Sequence, residues 1–566
     1  MADTVRFQYK DQPSRALDGI DLTLAEGEFV VVMGPSGAGK STFCCTLNGL
    51  IPHFLRGNFE GRVTVLGRDT RQVKVSQLAR DVGLVFQDFE TQLFSTNVEL
   101  EVAFGPENFG LPREEIASRV REALSTVRLA GMERRPPMTL SGGQKQRLAI
   151  ASVLSLAPRI VCMDEPTTDL DPIGKHEVFD AAARLRATRD VTMLIVEHET
   201  EGVLAADRIV LMQGGRVTGD GPPRQVLADA DALEAAGIQP LHVVRLFRQL
   251  GEGQVPFTVD EALELMRTRG WRLDGAAYAR LVAQKRPPAG GDPIIRVEGL
   301  CHGYSNGVVA LEGVDLTVRE GEFVAVVGQN GSGKTTLVKH FNGLLLPTGG
   351  RVLVGGRDTR RAGVLELSKL VGYVFQNPDH QIFADTVFDE VAFGPRNFGV
   401  PPGEITKRVE EALAAVGLSG YEQADPFALT KGERQRVAVA SVLATQPRVI
   451  ILDEPTTGLD YREQRGMMQL IKKLNEDGHT IIVVTHTMWV VAEYAHRVVV
   501  MKDGRIMFDG PTREVFSHEE ELTEAFLRPP QIVRLGNRLG HPLLTVEEAR
   551  ACLTKGGQGG GRLPLP

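Results

Sequence analysis

The sequence predicts an α/β fold present twice in tandem, on three observations. Continuous Val/Ile/Leu runs of strand length alternate with helical stretches, a glycine-rich phosphate cradle follows one such run in each half, and matching motifs recur at a nearly constant spacing. Lys40 and Lys334, Asp164 and Asp453, and His198 and His486 repeat at a domain-sized interval, too long for a solenoid of short repeats. A chain of 566 residues also exceeds what one hydrophobic core serves.

The strands are predicted where apolar runs precede motifs: EFVVVM before Gly34, EFVAVV before Gly328, RIVCM before Asp164, RVIIL before Asp453, VTMLIV before Glu197 and TIIVVT before His486. The boundaries that follow are a first domain at 1–235 with a C-terminal appendage at 236–282, then a Pro/Gly-punctuated linker at 283–293. A second domain spans 294–525, its appendage 526–555, and the tail at 556–566 is expected to be disordered. Each appendage carries a capping-box helix start, Thr258 with Glu261 and Thr545 with Glu548.

Composition excludes several classes. With 42% hydrophobic and 24% charged residues the chain reads as an ordinary soluble globular protein. A net charge of -8 argues against a nucleic-acid groove as the main surface. No run approaches the roughly 18 apolar residues that span a bilayer, and the N-terminus lacks a basic stretch followed by an apolar core. The expected compartment is the cytosol, with any membrane role peripheral. Cys44, Cys45, Cys162, Cys301 and Cys552 form no CxxC pair and read as small buried residues in a reducing environment.

The chemistry is carried by the cradles. The first comprises Gly34, Pro35, Ser36, Gly37, Ala38, Gly39, Lys40, Ser41 and Thr42; the second comprises Gly328, Gln329, Asn330, Gly331, Ser332, Gly333, Lys334, Thr335 and Thr336. Glycines let backbone amides face phosphates, Lys40 and Lys334 supply charge for the β and γ groups, and the Ser41 and Thr335 hydroxyls coordinate Mg²⁺. Asp164 and Asp453 end apolar strands, where a carboxylate reaches the Mg²⁺ shell; the adjacent Glu165 and Glu454 can polarise an attacking water. ATP and Mg²⁺ are the expected cofactors.

Because LSGGQKQR stands about twenty residues before MDEP, the chain resembles ATP-binding cassette ATPases over roughly 3–230 and 294–520. The resemblance implies a head-to-tail pair of cassettes, each ATP held by the cradle of one half and the signature of the other. The first signature offers Ser141, Gly142, Gly143 and Gln144. The second, LTKGE, keeps Thr430 and Gly432 but replaces a glycine with Lys431 and the glutamine with Glu433. Ser141 with Gln144 and Thr430 with Glu433 also fit capping boxes, so both motifs can simply start helices while presenting amides to an anion. One charge at ~6 Å is worth roughly 3 kcal/mol at an effective dielectric of 20. Glu433 is therefore expected to repel a γ-phosphate and Lys431 to offset it.

The same resemblance assigns Gln87 and Gln376 to the Q-loop that senses Mg²⁺ and the membrane subunit, His198 and His486 to the switch histidine, and Tyr9 and Tyr304 to the adenine-stacking aromatic. Asp171 and Asp460 match the D-loop aspartate, although the first half has Asp169 where the second has Gly458. Two unequal sites are implied. Glu454, His486 and Gln376 with LSGGQ form the stronger one; Glu165, His198 and Gln87 with LTKGE form the weaker.

Downstream of each Q-loop glutamine both halves share VAFGP and NFG, a pattern similar to the energy-coupling factor class of importers. That likeness implies a fused double ATPase on the cytoplasmic face of the cell membrane. Its partners would be a membrane coupling subunit and a substrate-binding membrane subunit, importing a vitamin, a vitamin precursor or a metal ion. Phe94, Phe104, Phe383 and Phe393 are expected to line a groove rimmed by Glu99, Glu101, Asp389 and Glu390 that pairs with coupling-helix arginines, internal packing being the alternative. A soluble tandem cassette acting on the ribosome or nucleic acid is the rival reading; the short Pro/Gly linker and the lack of zinc modules speak against it. A scaffold without turnover is opposed by the presence of both glutamates and both histidines.

Overall fold

A computed structural model describes residues 1–10, 12–167, 174–175, 191–284, 291–305 and 307–555. It divides into one body of Met1–Leu241 with Asp460–Arg462 and another of His242–Leu459 with Glu463–Pro566.

The first body is built on a six-stranded sheet ordered Arg216–Gly221, Arg208–Gln213, Phe29–Met33, Thr192–Val196, Ile160–Asp164 and Val82–Val85. All neighbours are parallel except the edge pair Arg216–Gly221 and Arg208–Gln213. Phe29–Met33 and Thr192–Val196 bury every residue, as β-branched strands enclosed on both faces do. These are the strands the apolar runs predict, and their C-terminal ends carry the motifs.

An antiparallel sheet of Leu17–Leu22, Ala2–Tyr9, Gly57–Val65 and Arg68–Asp69 completes this body. Its inward residues Val5, Phe7 and Ile20 share one core with Val30, Val32, Cys44 and Leu194. The sequence does not announce this sheet, because register shifts between Ala2 and Arg6 break the two-residue alternation that marks a half-buried strand.

The second body repeats the plan. Its large sheet runs Val371–Val374, Val449–Asp453, Thr480–Val484, Phe323–Gly328, Arg497–Lys502, Arg505–Pro511; its antiparallel sheet runs Val309–Arg319, Pro293–Gly303, Gly349–Val354, Arg357–Asp358. It also holds the second appendage and the first from His242 onward, which form one pack. Helices His242–Gln249, Val259–Arg269 and Gly275–Gln284 lie against Gln531–Arg538 and Val546–Cys552, and strand Trp271–Leu273 pairs antiparallel with Leu553–Lys555. Neither piece alone could bury enough apolar surface to be stable.

Polar contacts tie this pack together. Gln531 Nε2 donates to Phe257 O at 3.1 Å, Arg513 clamps Glu548 through two bonds of 2.8 and 3.0 Å, and Trp271 Nε1 donates to Glu252 at 2.8 Å. Thr258 and Thr545 cap their helices as expected, accepting from the amides of Glu261 and Glu548 at 3.2 and 3.1 Å. The two glutamates reach back to the residue before the cap, accepting from Phe257 N and Leu544 N. The expected tail and the middle of the expected linker lie outside the described residues. Among the described residues no helix is long and apolar enough to cross a membrane.

Candidate functional site

Strand Phe29–Met33 delivers the chain to Gly34, where an added Cβ would stand 2.1 Å from Met212 O. Gly39 has φ 94° and would collide with Ala16 O at 2.2 Å, so only glycine closes this turn. The loop wraps its own lysine. Lys40 Nζ donates to Gly34 O and Pro35 O at 2.9 and 2.8 Å, and Lys334 Nζ to Gly328 O and Gln329 O at 2.9 and 3.0 Å. Burial pulls the Lys40 pKa down, while the Glu165, Asp164 and Asp460 carboxylates push the other way. Tyr9 and Tyr304 bind the cradle helices through their hydroxyls, to Thr42 Oγ1 at 3.1 Å and Thr336 Oγ1 at 3.0 Å.

The two strand-end aspartates lie beside the cradle hydroxyls. Thr335 Oγ1 is 2.9 and 3.2 Å from the Asp453 carboxylate oxygens, and Ser41 hydrogen-bonds Asp164. Burial raises Asp164 to about 6 and moves Asp453 in the same direction. Asp164 Oδ1 is buried without a partner among the described residues. A hydroxyl and a carboxylate with one orphaned oxygen form a hard donor set that fits Mg²⁺. The sequence reading missed Tyr373, whose hydroxyl donates to Asp453 Oδ2 at 2.7 Å; the only signal is VGYVFQ against VGLVFQ.

Glu165 and Glu454 occupy left-handed backbone positions, φ 48° and 50°, a strain that residues with a Cβ accept where surrounding structure dictates it. In the first half Glu165 is bonded on both oxygens, by Gln87 Nε2 at 2.8 Å and by His198 Nε2 at 2.7 Å. In the second, Glu454 Oε1 meets His486 Nδ1 at 2.9 Å, and its buried Oε2 has no partner among the described residues. Burial opposes ionisation of Glu454, yet His486 and Lys334 hold its pKa below the usual carboxylate value. Gln376 lies just beyond the matching strand Val371–Val374 and is exposed. Each sequence-predicted glutamate and histidine is therefore brought together within its own half, while the glutamine joins them only in the first.

A second residue invisible to motif reading is Glu197, buried where the second half has Thr485. Its Oε1 accepts from the amides of His198 and Glu199 at 2.8 and 3.2 Å, and its Oε2 from Thr167 Oγ1 at 2.5 Å. It fastens the switch loop to the end of the Asp164 strand.

Both signatures start helices, Gly142–Leu154 and Lys431–Leu443, through complete capping boxes. The Glu433 carboxylate is folded back onto the Thr430 amide at 2.9 Å, with the Tyr421 hydroxyl at 3.4 Å, and the Thr430 amide foremost holds its pKa down. Its charge is engaged locally, which lessens the repulsion expected of it. Asp169 and Asp171 lie outside the described residues. Asp460 belongs to the first body, where the Tyr461 amide donates to Gly237 O at 3.0 Å.

The aromatic pairs are exposed, as the groove requires. Phe94 and Phe104 meet edge-to-face at 4.5 Å, Phe383 and Phe393 at 4.7 Å, and all four are about half exposed. The expected rim needs correction. Glu101 and Glu390 are each 3% exposed, and accept from the amides of Phe94 and Ser95, and of Phe383 and Ala384. Their positions turn inward on a helix of 3.6 residues per turn, which leaves Glu99 outside. Asp389 is already paired with Arg396 at 2.9 Å.

A family model described as ABC transporter matches residues 17–168 and again 311–457. An ABC transporter ATP-binding protein of Caldanaerobacter subterraneus subsp. tengcongensis is 56% identical, with 96% of this chain and 97% of the relative aligned. One from Methanosarcina acetivorans is 43% identical, with 97% and 93% aligned. Among solved structures, cbiO1 from Clostridium perfringens, described as part of the ABC transporter complex cbiONQ, is 40% identical. It covers 43% of this chain and 97% of its own, at a TM-score of 0.38. With the family's model matched in both halves and its relatives aligned end to end, this chain belongs to the ABC transporter family as a two-cassette ATP-binding protein that hydrolyses ATP.

Proposed function

We propose that the chain is the fused double ATPase of an energy-coupling factor importer, driving uptake of a vitamin, a vitamin precursor or a metal ion through a membrane coupling subunit and a substrate-binding membrane subunit. It acts peripherally on the cytoplasmic face of the membrane. The observation that carries this reading is the pair of exposed aromatic edges, Phe94 on Phe104 and Phe383 on Phe393, each held out by a buried glutamate. Half-exposed phenylalanines in matching positions suit a short amphipathic helix of a partner. Alanine at Phe94 and Phe383 together should abolish copurification with the membrane subunits while leaving ATP binding intact. Retained assembly would refute the docking surface.

In this reading the two cassettes close head to tail with the cradle of each facing the other's signature. Lys40 and Lys334 hold the β and γ phosphates. Ser41, Asp164 and Gln87, and in the second half Thr335, Asp453 and Gln376, are the residues that would hold Mg²⁺. Bound there, the ion would neutralise charge developing on the phosphates.

Glu454, whose Oε2 has no partner among the described residues, orients the attacking water, and His486 steadies the carboxylate and faces the γ-phosphate. Glu165, already bonded on both oxygens, must first give up Gln87 or His198. The second-half cradle with LSGGQ is thus the faster site, and the first-half cradle with LTKGE the slower.

A further inference from the structure

The two halves differ at one buried position that touches the metal-facing aspartate. Tyr373 and Leu84 are equivalent by register: each is the third residue of a four-residue strand, and they pair with Ile451 and Cys162, two residues before Asp453 and Asp164. In the second half the Tyr373 hydroxyl donates to Asp453 Oδ2 at 2.7 Å, and Thr335 Oγ1 reaches the same carboxylate. In the first half the aliphatic Leu84 offers no donor, and Asp164 Oδ1 is buried without a partner among the described residues.

We propose that Tyr373 is a positioning residue that fixes the Asp453 carboxylate for the divalent cation, giving the second cassette a pre-set metal site that the first cassette lacks. Among the described residues the phenol has no other hydrogen-bond partner. Packed edge-to-face on Phe375 at 5.0 Å and 8% exposed, it cannot swing to solvent. Its bond leaves the carboxylate little rotational freedom to lose when a cation arrives. Outer hydrogen bonds of this kind typically change metal affinity by about 10–100-fold. The inference rests on reading Asp453 as a Mg²⁺ ligand and requires neither a membrane partner nor an importer.

The test measures Mn²⁺ binding by electron paramagnetic resonance on the full chain with a non-hydrolysable ATP analogue. Lys40→Ala silences the first cradle. In that background Tyr373→Phe should weaken Mn²⁺ binding about tenfold, while analogue affinity in EDTA stays within about twofold. In the reciprocal background, Lys334→Ala, the change Leu84→Tyr should tighten Mn²⁺ binding at the first cradle. Unchanged Mn²⁺ affinity in Tyr373→Phe overturns the proposal, as does an equal loss of analogue binding in EDTA, which would mark Tyr373 as packing alone. Should Tyr373→Phe fail to fold, the Leu84→Tyr result decides: no tightening overturns the proposal as well.

Discussion

Lys431 lies across Gly458. A Cβ on Gly458 would stand 2.1 Å from Lys431 Nζ, with Cε at 3.1 Å and Cδ at 3.5 Å. Two departures that look independent in the sequence are one arrangement in space: the half with lysine in its signature has glycine at this D-loop position. The half with Gly142 there has Asp169. Gly458 also has φ 71°, so Gly458→Ala combines backbone strain with eviction of the lysine. It should lower stability by about 1–3 kcal/mol. Removing the lysine first, in Lys431→Gly, should recover part of that cost, with a coupling of ~1 kcal/mol in a double-mutant cycle read from melting temperatures. Additive shifts would mean the lysine merely rests there.

The unequal glutamates predict unequal mutants. Glu454→Gln should reduce phosphate release by the assembled complex about 100-fold or more, whereas Glu165→Gln should reduce it about threefold or less. Comparable losses would remove the asymmetry from the mechanism.

Glu99 and Glu390 separate docking from folding. Glu390 accepts two backbone amides while buried, so Glu390→Ala orphans both and should cost about 1–3 kcal/mol, visible as a lower melting temperature. Glu99 is exposed on its helix. Glu99→Lys should leave the melting temperature alone and weaken copurification with membrane partners.

His242 makes the appendage pack acid-sensitive. Burial, then the nearby Arg245 and Arg534, push its pKa to about 4 from the usual 6.5. A depressed histidine pKa means the unfolded chain takes up the proton first. The stability it contributes is complete above about pH 6.5 and is lost as the pH falls towards 4. Thermal melts across that window should drop by on the order of 1–3 kcal/mol, less where solvent reaches the ring. In His242→Gln the slope should flatten.

Much of the site was legible because phosphate chemistry tolerates few residue types. The cradle glycines, Lys40, Lys334, the strand-end aspartates and the following glutamates stand in runs that fold locally, strand into turn into helix. What reads poorly is anything contributed by a distant strand. Tyr373 and Glu197 are ordinary residues in apolar runs, and their meaning comes from the carboxylate or hydroxyl that a neighbouring element brings beside them. The antiparallel sheets escaped because their bulges erase the alternation a half-buried strand would show.

The sequence by itself determined the tandem α/β plan, both nucleotide cradles and the altered second signature, since each is set by local backbone geometry and by side-chain chemistry at fixed spacing. Only the tertiary structure decided that the two appendages make one pack and that Glu101 and Glu390 face inward. It likewise decided that Lys431 lies across Gly458, and that one aspartate has a phenol beside it while its counterpart has none. Those are matters of which surfaces meet, and residues far apart in the chain become partners only when burial of apolar surface brings their strands and helices together.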